Sequence, residues 1–253
     1  IREMRGRVIR RQGEGVLEFP ETDERLEDVG GMGELISWLE QRKAPFLNPS
    51  LLEGRRLPPP RGVFLLGVPG CGKSLLARAL AGSWDVPLLK LDAGRLFTSE
   101  VGGSEKRLFR ALETARAMAP CVLLLDEAEK GFSPVSSFSD GGTALRVQAA
   151  LLDFLQERGE TVFVVAASNG PGSLRPELMR RGRWDEIFFI DLPAEEERRR
   201  IFEVLFRRYN LEHPVDPECV SLSRGYSGAE MEQAVRETLY AECIFAGRPF
   251  HTL

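Results

Sequence analysis

The stretch Gly67-Val68-Pro69-Gly70-Cys71-Gly72-Lys73-Ser74 fits GxxxxGK[ST], a spacing whose residue types suit a bound polyphosphate. Glycines let successive backbone N–H groups wrap the phosphates, and a helix opening at Lys73 adds its positive N-terminal dipole. Lys73 places a point charge on β- and γ-oxygens, and the Ser74 hydroxyl can ligate Mg2+. A second cluster, Cys121-Val122-Leu123-Leu124-Leu125-Asp126-Glu127, is an apolar run ending in two adjacent carboxylates. Asp126 can hold Mg2+ through its water shell, and Glu127, facing the γ-phosphate, can orient and polarise an attacking water. Adjacent acids alone are a weak signal; with a phosphate loop upstream they read as the second half of one site. A third polar position, Ser168-Asn169, follows the run Thr161–Ala167. The Asn169 side chain can hydrogen-bond a γ-phosphate or the water, or can belong to the turn Asn169-Gly170-Pro171-Gly172 alone.

The elements that must hold these groups alternate strand and helix. Strands are predicted at 62–66, 87–91, 121–125, 161–167 and 186–190, and helices at 73–82, 103–118 and 143–157. Runs such as Val122-Leu123-Leu124-Leu125 and Val162-Phe163-Val164-Val165-Ala166 are apolar at every position. That pattern belongs to parallel strands covered on both faces, and it sets each polar cluster at a carboxyl end, where open α/β sheets bind ligands. Upstream, Asp28-Val29-Gly30-Gly31 reads as a turn, Glu34–Arg42 as a short amphipathic helix and Pro58-Pro59-Pro60 as a rigid lead-in. From Pro193 the texture changes to helices at 194–208, 217–222 and 227–246 with no further strand. The first has Glu195-Glu196-Glu197 before Arg198-Arg199-Arg200, which suits the helix dipole and gives Glu→Arg pairs four apart. The expected layout is a linker or adaptor at 1–27, an α/β nucleotide-binding core with a five-stranded parallel sheet at 28–192, and a small all-helical lid at 193–253.

Composition narrows the rest. A chain of 253 residues can bury roughly 70–75% of its unfolded surface, so no metal or disulfide staple is needed. Apolar residues at 43% and charged residues at 28% exclude disorder as the dominant state. Lys and Arg total 34 against 38 Asp and Glu, so no global positive field advertises nucleic acid. No apolar run approaches the ~20 residues of a membrane helix, and Ile1–Arg5 has no signal-peptide core. The missing initiator Met reads as a piece of a longer chain. Cys71, Cys121, Cys219 and Cys243 are scattered, and only His213 and His251 exist. That spacing argues against a zinc site or a Cys/His pair and makes a reducing cytoplasm the simplest compartment. Arg5, Arg7, Arg10 and Arg11, beside a strand pair at 7–10 and 15–19, are either a solvated face or a patch for an anionic partner. Cys71 is either a small filler or a thiol whose pKa the helix N-terminus lowers. Ser133–Gly142 reads as a mobile loop.

With the three polar clusters in this order, the chain resembles the AAA family of the AAA+ ATPases. Further support comes from Asp28-Val29-Gly30-Gly31, from Leu174–Asp185, similar to the family's second region of homology, and from Tyr226-Ser227-Gly228-Ala229-Glu230, similar to its small-domain motif. Together these motifs run from about residue 26 to 250. The wording Leu91–Phe97 and Asp185–Phe189 resembles most a subgroup encoded in cyanobacteria and some plastid genomes. The resemblance implies a P-loop NTPase core that hydrolyses ATP to ADP with Mg2+ held at Ser74 and Asp126. It implies phosphate contacts from Pro69, Gly70, Cys71, Gly72, Lys73, Ser74 and Leu75. Asp28 and Gly30 would contact adenine, with Gly228 and Ala229 closing over it. Asn169 would be the sensor residue, beside Lys73 and the base Glu127. Arg180 and Arg183 would be arginine fingers, with Arg181 as a third cation, reaching the γ-phosphate of a neighbouring subunit. Fingers acting in trans imply a homo-oligomeric ring, usually a hexamer, remodelling a protein partner.

The chain also departs from the family pattern. Threading members carry an aromatic in the pore, and here Thr98-Ser99-Glu100-Val101-Gly102 has Glu100 in its place, a poor grip on unfolded polypeptide. Position 129 is Glu where Asp is commoner. The chain ends at Leu253 where the family starts another helix, which predicts weak ring assembly. The rival expectation is a slow, nucleotide-switched binding module that assembles on ATP without threading. A nucleic-acid loader is disfavoured by the charge balance, and a small-molecule kinase would not need Arg180 and Arg183 in trans.

Overall fold

The computed structural model describes residues 16–92, 103–132, 143–157, 161–170, 176–180 and 182–246. The expectations placed on Arg5, Arg7, Arg10 and Arg11, the strand at 7–10, Phe97–Gly102, Ser133–Gly142, 171–175, Arg181 and the chain end at 247–253 lie outside the described residues.

Six strands make one sheet: β1 (Leu17–Glu18), β2 (Gly62–Gly67), β3 (Leu88–Asp92), β4 (Cys121–Asp126), β5 (Val162–Ser168) and β6 (Glu186–Ile190). Their order is β1-β3-β4-β5-β2-β6. The last five are parallel, the sheet expected from the apolar runs, and β1 adds an antiparallel edge by pairing Leu17 with Leu91. The reason for the unbroken runs is visible in the packing. Phe64, Leu66, Leu123, Leu125, Val164 and Ala166 face one apolar cluster, while Val63, Leu65, Val122, Leu124, Phe163 and Val165 face another on the opposite side.

Helices α1 (Gly33–Leu47) and α2 (Lys73–Trp84) supply the second cluster. Helices α3 (Gly103–Ala117) and α5 (Thr143–Glu157) supply the first, through Leu108, Ala111, Leu112 and Ala115 and through Val147, Leu151, Phe154 and Leu155, spacings that make one apolar stripe each. A short α4 (Ala128–Phe132), not anticipated from the sequence, follows β4 directly. Past Pro193 come α6 (Glu195–Arg208), α7 (Pro217–Leu222) and α8 (Gly228–Ala246), which share a separate apolar cluster of Phe202, Leu205, Val220, Met231 and Val235. Among the described residues no helix is long and apolar enough to cross a membrane.

Two departures from the sequence expectations have physical causes. Residues 16–27, expected as the end of a linker or adaptor with a strand at 15–19, carry β1 and pack on the core: Val16 and Leu17 are buried, the Leu26 N–H donates to Ser83 Oγ at 2.8 Å, and Glu24 pairs with Arg78 at 2.8 Å. Helix α1 runs five residues past Arg42, through Pro45. A proline there removes one helical donor. Phe46 offsets that loss, because its fully buried ring lies 5.1 Å from Trp84 and 5.7 Å from Phe163. Phe46→Ala is expected to destabilise the fold by about 3–5 kcal/mol through the cavity it leaves. Urea unfolding measures this, and a loss under about 1 kcal/mol would show that the turn after Arg42 is not anchored by that ring.

Candidate functional site

Strands β2, β4 and β5 end together at the carboxyl edge of the sheet. Neighbours β2 and β5 leave it in opposite directions, β2 towards β3 and β5 towards β6, and such a divergence opens a crevice. The phosphate loop fills that crevice. Gly67 is flush against β6, where an added Cβ would stand 1.9 Å from the Ile190 oxygen. Gly70, at φ +77°, would bring a Cβ within 2.9 Å of Ser227 Oγ, and its carbonyl accepts the Ala229 N–H at 3.0 Å. The loop is thus built against the start of α8. That helix opens with a capping box: Ser227 donates from N–H and Oγ to Glu230 Oε2 at 2.8 and 2.7 Å, which lowers the Glu230 pKa.

Lys73 is buried and donates to the Gly67 and Val68 carbonyls, both at 2.8 Å. Burial pulls its ammonium below the ordinary lysine value, opposed in part by the nearby carboxylates of Glu129 and Asp126. The Ser74 hydroxyl stands 3.1 and 3.2 Å from the two Asp126 carboxylate oxygens. Hydroxyl and carboxylate oxygen side by side are the hard donors that Mg2+ takes, together with phosphate oxygens, so the residues fit the ion. Glu127 follows at φ +50°, uncommon for a residue with a Cβ, and turns the chain from β4 into α4. Its Oε2 accepts from Lys130 Nζ at 2.7 Å. Asn169, directly after β5, donates its N–H and Nδ2 to Glu129 at 3.4 and 3.3 Å, so the acidic position 129 is the partner of the expected sensor.

A cleft of about 220 Å3 opens beside the loop, and its walls include Asp28, Gly30, Gly70, Cys71, Gly72, Leu75, Gly228 and Ala229. Those are eight positions selected from the sequence for nucleotide contact. Pro69, Lys73 and Ser74 are not among its lining residues. The opposite wall is α6, through Glu197, Ile201, Val204, Leu205 and Arg208. Gly30 presses on that helix: a Cβ would come within 2.6 Å of the Ile201 Cα. Of the two readings of Cys71, the small filler is the one its surroundings favour. Burial raises its thiol pKa, and Lys73 and a Gly228 backbone hydrogen bond only partly oppose this, so the helix terminus does not make it a ready thiolate.

The arginines stand elsewhere. Trp184 is buried, packs edge-on to Phe64 at 5.3 Å and donates from Nε1 to the Leu178 carbonyl at 2.8 Å. Asp185 accepts the Arg61 and Gly62 N–H groups at 2.6 and 2.9 Å. Gly182, whose carbonyl accepts from Arg61 Nη1 at 3.0 Å, and Asp185 thus hold the half-buried Arg183 at the start of β2, opposite the phosphate loop, while the exposed Arg180 follows the short helical turn Pro176–Met179. Five strand steps separate these ends, about 16 Å.

Several groups that touch the site were not legible as site residues in the sequence. Lys90 on β3 pairs with Asp126 at 3.1 Å, because the parallel register sets Asp92 level with Asp126. Lys130 and Glu197 are the others, while Glu129, noted in the sequence only as a departure from Asp, holds Asn169. The i,i+3 spacing of Glu127 and Lys130 was a usable signal; the other contacts join distant segments.

Residues 63–192, just over half of the chain, match the family described as "ATPase family associated with various cellular activities (AAA)". The chain is 40% identical over 245 residues to "Uncharacterized AAA domain-containing protein ycf46" of Gracilaria tenuistipitata var. liui, covering 94% of this chain and 48% of that protein. It is 42% identical over 228 residues to the protein of the same name in Trieres chinensis, covering 89% of this chain and 46% of that one. A "Cell division cycle protein 48 homolog" of Archaeoglobus fulgidus is 35% identical over 220 residues, 85% of this chain and 30% of that protein. The chain therefore spans about half the length, or less, of these relatives. The plastid-encoded subgroup expected from Leu91–Phe97 and Asp185–Phe189 is the one the ycf46 proteins represent. With its loop, paired acids and sheet order matching that assignment, this chain belongs to the AAA family of ATPases.

Proposed function

We propose that the chain binds ATP with Mg2+ and hydrolyses it in a site completed by Arg180 and Arg183 of a neighbouring copy, within a ring that uses the cycle to remodel a protein partner. The observation that carries this reading is that Gly182 and Asp185, on either side of Arg183, are tied to the end of β2 opposite the phosphate loop of the same chain. That end of β2 lies about 16 Å of strand from the phosphate loop, which favours presentation of the arginine to the site of a neighbouring copy.

Within one chain the roles follow from position. Asp28, Gly30, Gly228 and Ala229 hold the base end of the nucleotide. The N–H groups of Pro69's successors, Gly70 to Leu75, lie along the polyphosphate, and Lys73 moves from the Gly67 and Val68 carbonyls to the β/γ-oxygens. Ser74 and Asp126 would hold Mg2+, whose charge offsets that of the phosphates. Glu127 orients the attacking water and takes its proton, and Asn169 hydrogen-bonds the γ-phosphate or that water. Lys73→Ala tests the first step. It is expected to weaken ATP binding by roughly 30-fold or more, because a desolvated charge partner of the phosphates is lost. Calorimetric titration with ATP measures it, and unchanged affinity would refute the phosphate assignment.

A further inference from the structure

Glu197 joins α6 to the turn that closes the cleft. Its Oε1 accepts the Met32 N–H at 2.9 Å, across 165 residues of chain, and its Oε2 accepts the Ala194 N–H at 3.0 Å. One carboxylate thus caps its own helix and ties that helix to the segment Asp28–Met32. The close approach depends on the two glycines of the turn. A Cβ on Gly31 would stand 3.1 Å from Glu197 Oε1 and 3.3 Å from its Cβ, and one on Gly30 would enter the Ile201 backbone. Met32 is held at φ +54°, and its terminal methyl reaches to 3.3 Å from where a Gly72 Cβ would be. The turn is clamped between α6 on one side and the phosphate loop on the other, and Glu197 is the only charged group among the described residues that hydrogen-bonds its backbone at Met32.

We propose that Glu197 is the positioning residue for the nucleoside half of the ligand: it fixes the Asp28–Met32 turn against α6 and so sets affinity for the base and ribose, independently of the phosphate loop. The inference rests on the nucleotide reading of this cleft. The phosphate loop has its own anchors, at Ile190, Ser227 and Ala229, and none of them passes through Glu197. Loss of the carboxylate leaves the Met32 N–H without its acceptor and frees the turn to move off the helix. Loss of a charge-assisted hydrogen bond of this kind is worth roughly a tenfold change or more in affinity.

The test is calorimetric binding of ADP and of inorganic tripolyphosphate to the wild-type chain, Glu197→Ala and Glu197→Gln. Expected is a roughly tenfold or greater loss of ADP affinity in Glu197→Ala with tripolyphosphate affinity unchanged. Glu197→Gln, which keeps one carbonyl acceptor, should fall between. Unchanged ADP affinity in Glu197→Ala would overturn the assignment while leaving the nucleotide site intact. Equal loss of both ligands would also overturn it, by showing that Glu197 supports the fold or the loop instead. Tripolyphosphate binding reports directly that the variant has folded. A wild-type chain that binds tripolyphosphate but not ADP would overturn the nucleotide reading itself, and this inference with it.

Discussion

Glu127→Gln is expected to abolish steady-state ATP hydrolysis, by roughly two to four orders of magnitude, while ATP still binds. The amide keeps the size and hydrogen-bonding reach of the carboxylate but cannot take a proton from water. The geometry favours so clean a separation. The Glu127 carboxylate accepts from Lys130 Nζ, whereas Lys73 and Ser74 are held by Gly67, Val68 and Asp126, so the exchange leaves the proposed phosphate contacts in place. Its exposed ion pair with Lys130 contributes little to stability, so losing it should not disturb the fold. Phosphate release and calorimetric ATP titration on the same preparation decide the matter. A variant that hydrolyses at the wild-type rate would remove Glu127 from the chemistry. A wild-type rate already as low as the variant's, with tight ATP binding in both, would instead make this chain the slow, nucleotide-switched module.

What could be read from the sequence was whatever covalent adjacency or short-range pattern encodes. Gly67–Ser74 and Asp126-Glu127 are contiguous, so their spacing states their chemistry before any fold is known. The strands were legible because both sheet faces are covered, which forbids polar residues at any position of β2, β4 or β5 short of their ends. Registry was not legible. Lys90 meets Asp126 only because β3 and β4 align Asp92 with Asp126, and a shift of one residue would send Lys90 to the other face. Helix α1 outran its expected end because the gain from burying Phe46 exceeds the local penalty of Pro45, a tertiary term that local pattern does not contain. Cys71 illustrates a third kind of gap. The neighbouring helix terminus was visible, whereas the desolvation that outweighs it exists only once the fold has buried the thiol.

The placement of the arginines leads to the second large effect. Arg180→Ala is expected to lower the turnover rate by roughly a hundredfold or more, the loss typical of one donor to transition-state charge. Arg180 is exposed, so its truncation removes no core packing; Arg183 is half-buried and its loss also disturbs the loop beside Trp184. Arg180→Ala is therefore the cleaner variant. The decisive version mixes it with Glu127→Gln. The first keeps the water-activating Glu127 but lacks the Arg180 finger; the second keeps Arg180 but lacks the base. If the finger acts between copies, a one-to-one mixture assembled at random places an intact finger against an intact site at roughly a quarter of its interfaces. Activity should then rise from near zero to roughly that fraction of wild type, and should increase with total protein concentration as copies associate. No recovery, together with a wild-type rate per subunit that stays flat over the same concentrations, would mean that Arg180 serves no neighbouring site. Recovery with concentration dependence would tie hydrolysis to assembly, because in the mixture an intact finger and an intact site meet only when they come from different chains.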